Sequence, residues 1–199
     1  DDYPAEPPVV EKSDTLTILY TGTLYPGRPD PTPLFQAVAR LGERRSAVRM
    51  QFYGADRPAV MQLAEKAGVV DQVEVSPPVG YGRVVTLQRE ADILLMLPWS
   101  DPSELGVVPG KLFEYIGARR PILCLGFDQG AVPEIIRARD LGLISEDPDV
   151  IAGALNGWLE EKRNSGQVAP LPIEARAGLS RGEQFQRLEE FMEETRRRQ

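Results

Sequence analysis

Short continuous runs of apolar residues recur along the chain, and each is followed by glycine, proline or a polar cluster. Such runs are typical of strands that are buried on both faces of a sheet. The predicted strands cover residues 16–22, 48–54, 73–79, 92–100, 121–126 and 142–146.

Between these runs the apolar residues recur with helical spacing, as Leu34, Val38 and Leu41 show. The last helix is predicted to begin at Ser180, whose capping partner Glu183 follows three residues later. The predicted helices cover residues 31–45, 57–68, 81–91, part of 106–123, 131–141, 149–164 and 180–198.

Strict alternation of strands and helices predicts an α/β fold, a Rossmann-like doubly wound parallel sheet of about six strands with helices on both faces. Residues 1–14 are rich in proline and acid and are interpreted as a linker or extended entry segment. Residues 15–199 are interpreted as one domain that includes the C-terminal helix. The first residue is not methionine, so we expect a processed chain or a piece of a longer one.

Composition removes several functional classes. The net charge of −7 argues against nucleic acid as a partner, and no apolar run approaches the ~18 residues of a transmembrane span. The sequence has no histidine, which removes the usual general base and most zinc chemistry. Its one cysteine, Cys124, lies in an apolar run and is predicted to be buried.

In doubly wound folds, ligands bind beyond the carboxyl ends of the strands. The loop after the first strand, residues 22–31, carries two glycines five apart, but Arg28 and Pro29 follow them and rule out an NTPase P-loop. Two interpretations stay open for this loop: a plain glycine turn, or an anion site at which Arg28 contributes. The acidic residues 146–149 resemble a metal-binding pattern, but their position before a helix favours capping.

Lys111 stands where a helix is predicted to begin, and a cation there faces the positive end of the helix dipole. Pro109 is typical of a helix start, and Gly110 permits close approach to the backbone. A bound phosphate would supply the missing counter-charge, and Glu114, one turn along, could accept hydrogen bonds from a vicinal diol. The alternative is a solvated Lys111 beside a Glu114 that only favours the helix dipole.

Five stretches of the sequence together resemble the C-terminal, nucleotide-sugar-binding domain of GT-B glycosyltransferases of the retaining group 1 type. The resemblance covers residues 16–160 and is most specific where proline, lysine, glutamate and tyrosine match the donor motif of the family. The stretches are "ILYTGTLYPGRPDPTPLFQAVARL", "MQFYG", "ADILLMLP", "VPGKLFEYIGARRPIL" and "AVPEII".

The resemblance implies that Glu114 binds the donor ribose and that Lys111 lies near the diphosphate. It implies that Gly22 and Arg28 approach the phosphates, and no catalytic residue is assigned. The chain departs from the family pattern at Gly106, where many relatives have a second glutamate, and at Gly110, where they have serine or threonine.

The function implied is that of the donor half of a glycosyltransferase, with the acceptor held by a missing N-terminal domain. No cofactor or metal is expected, because the nucleotide sugar is a substrate. Two alternatives remain: a nucleotide-sugar epimerase, which the lack of histidine disfavours, and a non-catalytic domain that binds nucleotide sugars or partners. The location implied is cytoplasmic, either free or peripheral at the membrane in the full-length protein.

Overall fold

One parallel sheet organises the chain in the computed structural model, which describes residues 3–4, 6, 13–24, 30–98, 102–126 and 128–198. Its six strands are all parallel and follow the order β3-β2-β1-β4-β5-β6. The predicted fold class is confirmed. The strands are β1 (Leu16–Thr21), β2 (Val48–Tyr53), β3 (Val73–Ser76), β4 (Ile93–Met96), β5 (Ile122–Cys124) and β6 (Gly142–Ile144).

Helices connect successive strands, and short 3₁₀ helices at 42–47, 70–72, 102–104 and 173–176 complete the described elements. The α-helices are α1 (Thr32–Arg40), α2 (Arg57–Ala67), α3 (Tyr81–Glu90), α4 (Gly110–Ala118), α5 (Ala131–Ala138), α6 (Pro148–Ser165) and α7 (Arg181–Arg197).

The helices cover both faces of the sheet. On one face α1, α2 and α6 pack against one set of strand residues, and Leu34, Val60 and Leu155 are fully buried there. On the other face α3, α4 and α5 pack against the alternate strand residues, as Leu112 and Ile136 show. The central strands β1, β4 and β5 are therefore buried on both faces, which explains their apolar runs, whereas β2 alternates buried with more exposed residues.

Helix α1 is shorter than the sequence predicted. It ends at Arg40, after which Gly42 adopts a φ of 60° and the chain continues as the 3₁₀ helix Gly42–Ala47. The apolar periodicity extends only to Leu41, but the predicted helix also included the polar residues 42–45. Its predicted end was therefore five residues too late. Glycine supplies the left-handed conformation that ends the helix, at little steric cost.

Helix α6 begins at a side-chain cap. The carboxylate of Asp147 accepts a hydrogen bond from the backbone N–H of Asp149 at 2.8 Å. Asp149 in turn pairs with Arg40 of α1 at 3.0 Å. The capping interpretation of residues 146–149 is confirmed.

A buried ion pair ties α6 to the amino end of the sheet. Lys162 Nζ lies 2.5 Å from Asp92 Oδ2, and the two side chains are 2% and 1% exposed. The same carboxylate oxygen accepts the backbone N–H of Thr17 at 2.8 Å. Because Asp92 directly precedes β4, the pair fixes the position of α6 relative to β1 and β4.

Helix α7 differs from the others because none of its residues is buried. The predicted capping box at Ser180 and Glu183 is confirmed, and hydrogen bonds from Ser180 and Gly178 lower the pKa of Glu183 to about 2. Its apolar side chains form an exposed row of Phe185, Leu188, Phe191 and Met192. Among the described residues, no helix combines the length and apolar character needed to span a membrane.

We predict that Lys162→Met destabilises the fold by about 3–5 kcal/mol, because it leaves the Asp92 carboxylate buried without its partner. Arg44→Met is the matched control, since Arg44 pairs with Glu160 of the same helix at 2.7 Å but on the surface. That control should cost less than about 1 kcal/mol. Urea unfolding measures both changes, and equal losses for the two variants would contradict the role given to the buried pair.

Candidate functional site

The candidate site lies where the direction of strand addition reverses. Strand β1 pairs with β2 on one side and with β4 on the other, and ligand crevices of doubly wound sheets open at such a point. The carboxyl end of β1 is Tyr20 and Thr21, and Gly22 follows directly. Helix α4, which follows β4, begins beside this strand end.

Gly22 makes a turn with a backbone conformation that residues other than glycine rarely adopt. Its φ is 131°, and its N–H donates to the carbonyl oxygen of Tyr53 at 2.8 Å. A Cβ atom added at Gly22 would lie 2.8 Å from Lys111 Nζ. The glycine therefore gives the lysine ammonium room against the backbone of the first loop.

Lys111 is the second residue of α4, which starts after Pro109 without a side-chain cap. Its Nζ lies 4.2 Å from the centroid of the Tyr20 ring, a cation–π distance. Burial lowers the pKa of Lys111 to about 8, and Glu114 offsets part of this effect. Within the described part of the chain, no carboxylate forms an ion pair with Lys111.

Glu114 lies one turn further along α4 and is half-buried. Its Oε2 accepts a hydrogen bond from Gln88 Nε2 of α3 at 3.3 Å. With Gly110 it also lines a groove of about 1360 Å³ that runs between α4 and α7. Glu114 is thus open to this groove, one helical turn from Lys111.

The structure brings three of the predicted residues together: Gly22 and Lys111 are in contact, and Glu114 lies one helical turn from Lys111. Pro109 is the N-cap residue of α4 and Gly110 its first residue, where an added Cβ would meet open space. Arg28 lies outside the described residues. The ligand roles of these residues stay predictions.

Sequence reasoning missed the polar residues that support this site. Tyr20 lies under the ammonium, and Gln88, which is fully buried, contacts both Glu114 and Thr21. Thr21 could have been noticed because it directly precedes Gly22. Gln88 gave no signal, since a polar residue in a helix is expected to face solvent.

Cys124 is buried as predicted, and burial raises the pKa of its thiol to about 12. This residue is therefore an inert part of the core rather than a nucleophile. Across the described ranges, no group of three or more carboxylate or cysteine side chains is placed to hold a metal ion.

Fold and site together define a Rossmann-like α/β domain with a partly buried lysine at its switch point. The family model described as "Glycosyl transferases group 1" matches residues 15–161. The chain belongs to this glycosyltransferase family. No curated protein gives a significant match.

Solved structures share the fold. The chain is similar to WaaG, a glycosyltransferase involved in lipopolysaccharide biosynthesis, with 21% identity and a TM-score of 0.61 over 84% of this chain and 43% of that one. It is similar to the pneumococcal O-GlcNAc transferase GtfA in complex with UDP and GlcNAc, with 14% identity and a TM-score of 0.59 over 93% and 37%. The chain thus spans less than half the length of these two structures.

A third similar structure is a protein proposed to be a UDP-N-acetylglucosamine 2-epimerase, from Listeria monocytogenes. Identity is 18% and the TM-score is 0.51, over 83% of this chain and 43% of that one. The shared fold does not by itself separate sugar transfer from epimerisation.

We predict that Lys111→Met raises the melting temperature at pH 7 by about 2–4 °C, the shift that ~1 kcal/mol produces in a chain of this size. The folded protein holds the lysine proton less tightly than the unfolded chain, with a pKa near 8 against 10.5. The charged lysine therefore costs stability fully below pH 8, and the cost disappears above pH 10.5. Thermal melts of both proteins at pH 7 and pH 10 test this, since the difference should shrink at the higher pH.

Lys66→Met is the control for that measurement. Lys66 is exposed in the last turn of α2, where a cation interacts favourably with the helix dipole. Its replacement should leave the melting temperature unchanged or lower it slightly. If both lysine variants behaved alike, the burial of Lys111 would not be the cause.

Proposed function

We propose that the chain is the donor-binding half of a retaining group 1 glycosyltransferase, and that its crevice binds a nucleotide-diphosphate sugar. The observation that carries the proposal is Lys111, whose ammonium lies at the Gly22 turn, is partly buried and forms no ion pair with a described carboxylate. Such a cation costs stability until an anion approaches it. A diphosphate at the carboxyl end of β1 would supply that anion.

Three groups converge on the proposed diphosphate position. The Lys111 ammonium provides the charge, and the start of α4, with no side-chain cap, provides backbone N–H groups and the positive end of the helix dipole. Gly22 allows phosphate oxygens to approach the backbone closely. We include Arg28 of the same loop as a fourth contributor, carried over from the family motif.

Glu114 is the proposed ribose ligand. An ionised carboxylate accepts hydrogen bonds only, and two vicinal hydroxyl groups are matching donors. Its distance from Lys111, one helical turn, separates the two groups along the helix as ribose and diphosphate are separated in a nucleotide. One helix end would therefore bind both parts of the donor, without a divalent metal.

In the transfer step, a bond forms between the acceptor oxygen and the anomeric carbon, and the bond from that carbon to the diphosphate breaks. The acceptor proton passes to the leaving diphosphate. Lys111 and the α4 start would stabilise the negative charge that develops there. The acceptor would be held by a second domain, so we propose that this chain alone binds donor but does not transfer sugar.

Epimerisation is the second candidate, because a similar structure is proposed to be an epimerase. The family match favours glycosyl transfer, and the absence of histidine from the sequence disfavours epimerisation. Incubation with UDP-N-acetylglucosamine and no acceptor separates the two. Formation of the C2 epimer would favour the second candidate.

We predict weak binding of a nucleoside diphosphate by the wild-type chain in the presence of EDTA, measured by calorimetry with UDP, GDP, ADP and their sugars. Lys111→Met should weaken the tightest of these by roughly 10- to 150-fold, as expected for 1.5–3 kcal/mol of charged hydrogen bonding. Glu114→Gln should weaken the same ligand but leave its 2′,3′-dideoxy analogue nearly unaffected.

The two variants should thus differ in which ligands they bind more weakly, because only Glu114→Gln spares the dideoxy analogue. A general loss of folding would weaken the binding of every ligand. Lys66→Met is again the control and should bind like the wild type. No heat from any ligand at millimolar concentration would refute donor binding. Unchanged affinity in folded Lys111→Met would refute the phosphate role alone.

Binding should also depend on pH. A diphosphate stabilises the charged form of Lys111, so affinity should be highest below pH 8 and fall as pH rises above it. Titrations between pH 7.5 and 9.5 avoid the ionisation of the phosphate itself. The Lys111→Met protein should show no such fall, and a parallel fall in both proteins would point to another group.

A further inference from the structure

The buried carboxamide of Gln88 joins three parts of the molecule. Its Nε2 lies 3.3 Å from Thr21 Oγ1 at the end of β1 and 3.3 Å from Glu114 Oε2 on α4. Its Oε1 accepts a hydrogen bond from the hydroxyl group of Tyr3. Every polar atom of the carboxamide is therefore engaged, as a fully buried amide requires.

Chemistry allows the carboxamide only one orientation. An ionised Glu114 has no proton to donate, so the group that faces it must be the Nε2 amide. Turning the amide over would place two acceptor oxygens against each other. The Tyr3 hydroxyl, which donates to Oε1, supports the same orientation from the other side.

Tyr3 is itself held firmly, although it lies ahead of the first strand. Its ring packs on Gly117 of α4, where an added Cβ would lie 2.6 Å from the ring. Arg176 donates to the backbone carbonyl oxygens of Tyr3 and Pro4, each at 2.9 Å. The side chain of Tyr3 is consequently buried with α3 and α4.

We propose that Gln88, oriented by Tyr3, is a positioning residue that fixes the Glu114 carboxylate for the ribose of the donor; this rests on the proposed function of Glu114. Gln88 engages Oε2 of Glu114, and Oε1 accepts no hydrogen bond from the described residues. A free glutamate side chain loses considerable rotamer entropy when it is ordered on binding. The amide would order Glu114 beforehand, so affinity for the ribose hydroxyl groups would increase.

Gln88→Leu and Tyr3→Phe test the proposal, with the nucleoside diphosphate that the wild type binds most tightly and its 2′,3′-dideoxy analogue. Gln88→Leu should weaken the ribose ligand about tenfold and leave the dideoxy ligand unchanged, so the preference for ribose disappears. Tyr3→Phe removes one hydroxyl group and keeps the ring on Gly117, so it should reduce the same preference less.

Gln51→Leu is the matched control, because Gln51 Nε2 of β2 also donates to a glutamate, Glu74, at 3.1 Å, but this hydrogen bond is exposed to solvent. It should bind both ligands as the wild type does. Circular dichroism and thermal melts establish that each variant is folded. If Gln88→Leu does not fold, Tyr3→Phe decides the question.

The outcomes separate this inference from the function on which it rests. A wild type that prefers ribose, with the same preference in folded Gln88→Leu and Tyr3→Phe, would overturn the positioning role and leave the donor site intact. A wild type that binds no nucleotide, or does not distinguish the two sugars, would remove the ribose role of Glu114 and this inference with it.

Discussion

The pairing of β1 with both β2 and β4 is the constraint on which the candidate site depends. It sets the reversal of strand order beside Thr21 and Gly22, and it brings the start of α4 to the same edge of the sheet. Lys111 can then reach the Gly22 turn although 88 residues separate them in the sequence. Without that pairing, the two halves of the crevice would lie on different parts of the surface.

Two lysines with little access to solvent lie at opposite ends of the strands and have different surroundings. At the amino end, Lys162 meets Asp92 at 2.5 Å, and the pair is closed to solvent. At the carboxyl end, Lys111 has an aromatic ring and the positive end of a helix dipole instead. Since buried cations are normally paired, the first arrangement is a structural tie, and the second is the one on which the proposed donor site rests.

The sequence was sufficient for the sheet and for the helix ends that carry side-chain caps. Continuous apolar runs and alternating periodicity predicted six parallel strands, and Ser180 with Glu183 predicted the start of α7. The predicted end of α1 was wrong because residues 42–45 were included in the helix, although Gly42 ends it and a 3₁₀ helix follows. The Asp92–Lys162 pair and Gln88 could not be predicted, because each joins positions that only the tertiary fold brings together. The sequence could predict that Lys111 and Glu114 lie close together, because both are on one helix and their spacing in the sequence sets the distance between them.

Stability and binding make opposite demands on the start of α4. An uncharged side chain at position 111 would suit burial and the helix dipole better than Lys111, whose pKa burial lowers to about 8. The polar network one turn further along the same helix has no such conflict, since Gln88 contacts Tyr3, Thr21 and Glu114 together. The helix is therefore rigidly placed by groups that are already satisfied, and this placement holds the unsatisfied cation in position. The destabilisation at this site is therefore concentrated in Lys111. An anion bound beside Lys111 would relieve that destabilisation, so it would gain more binding free energy there than elsewhere on the domain.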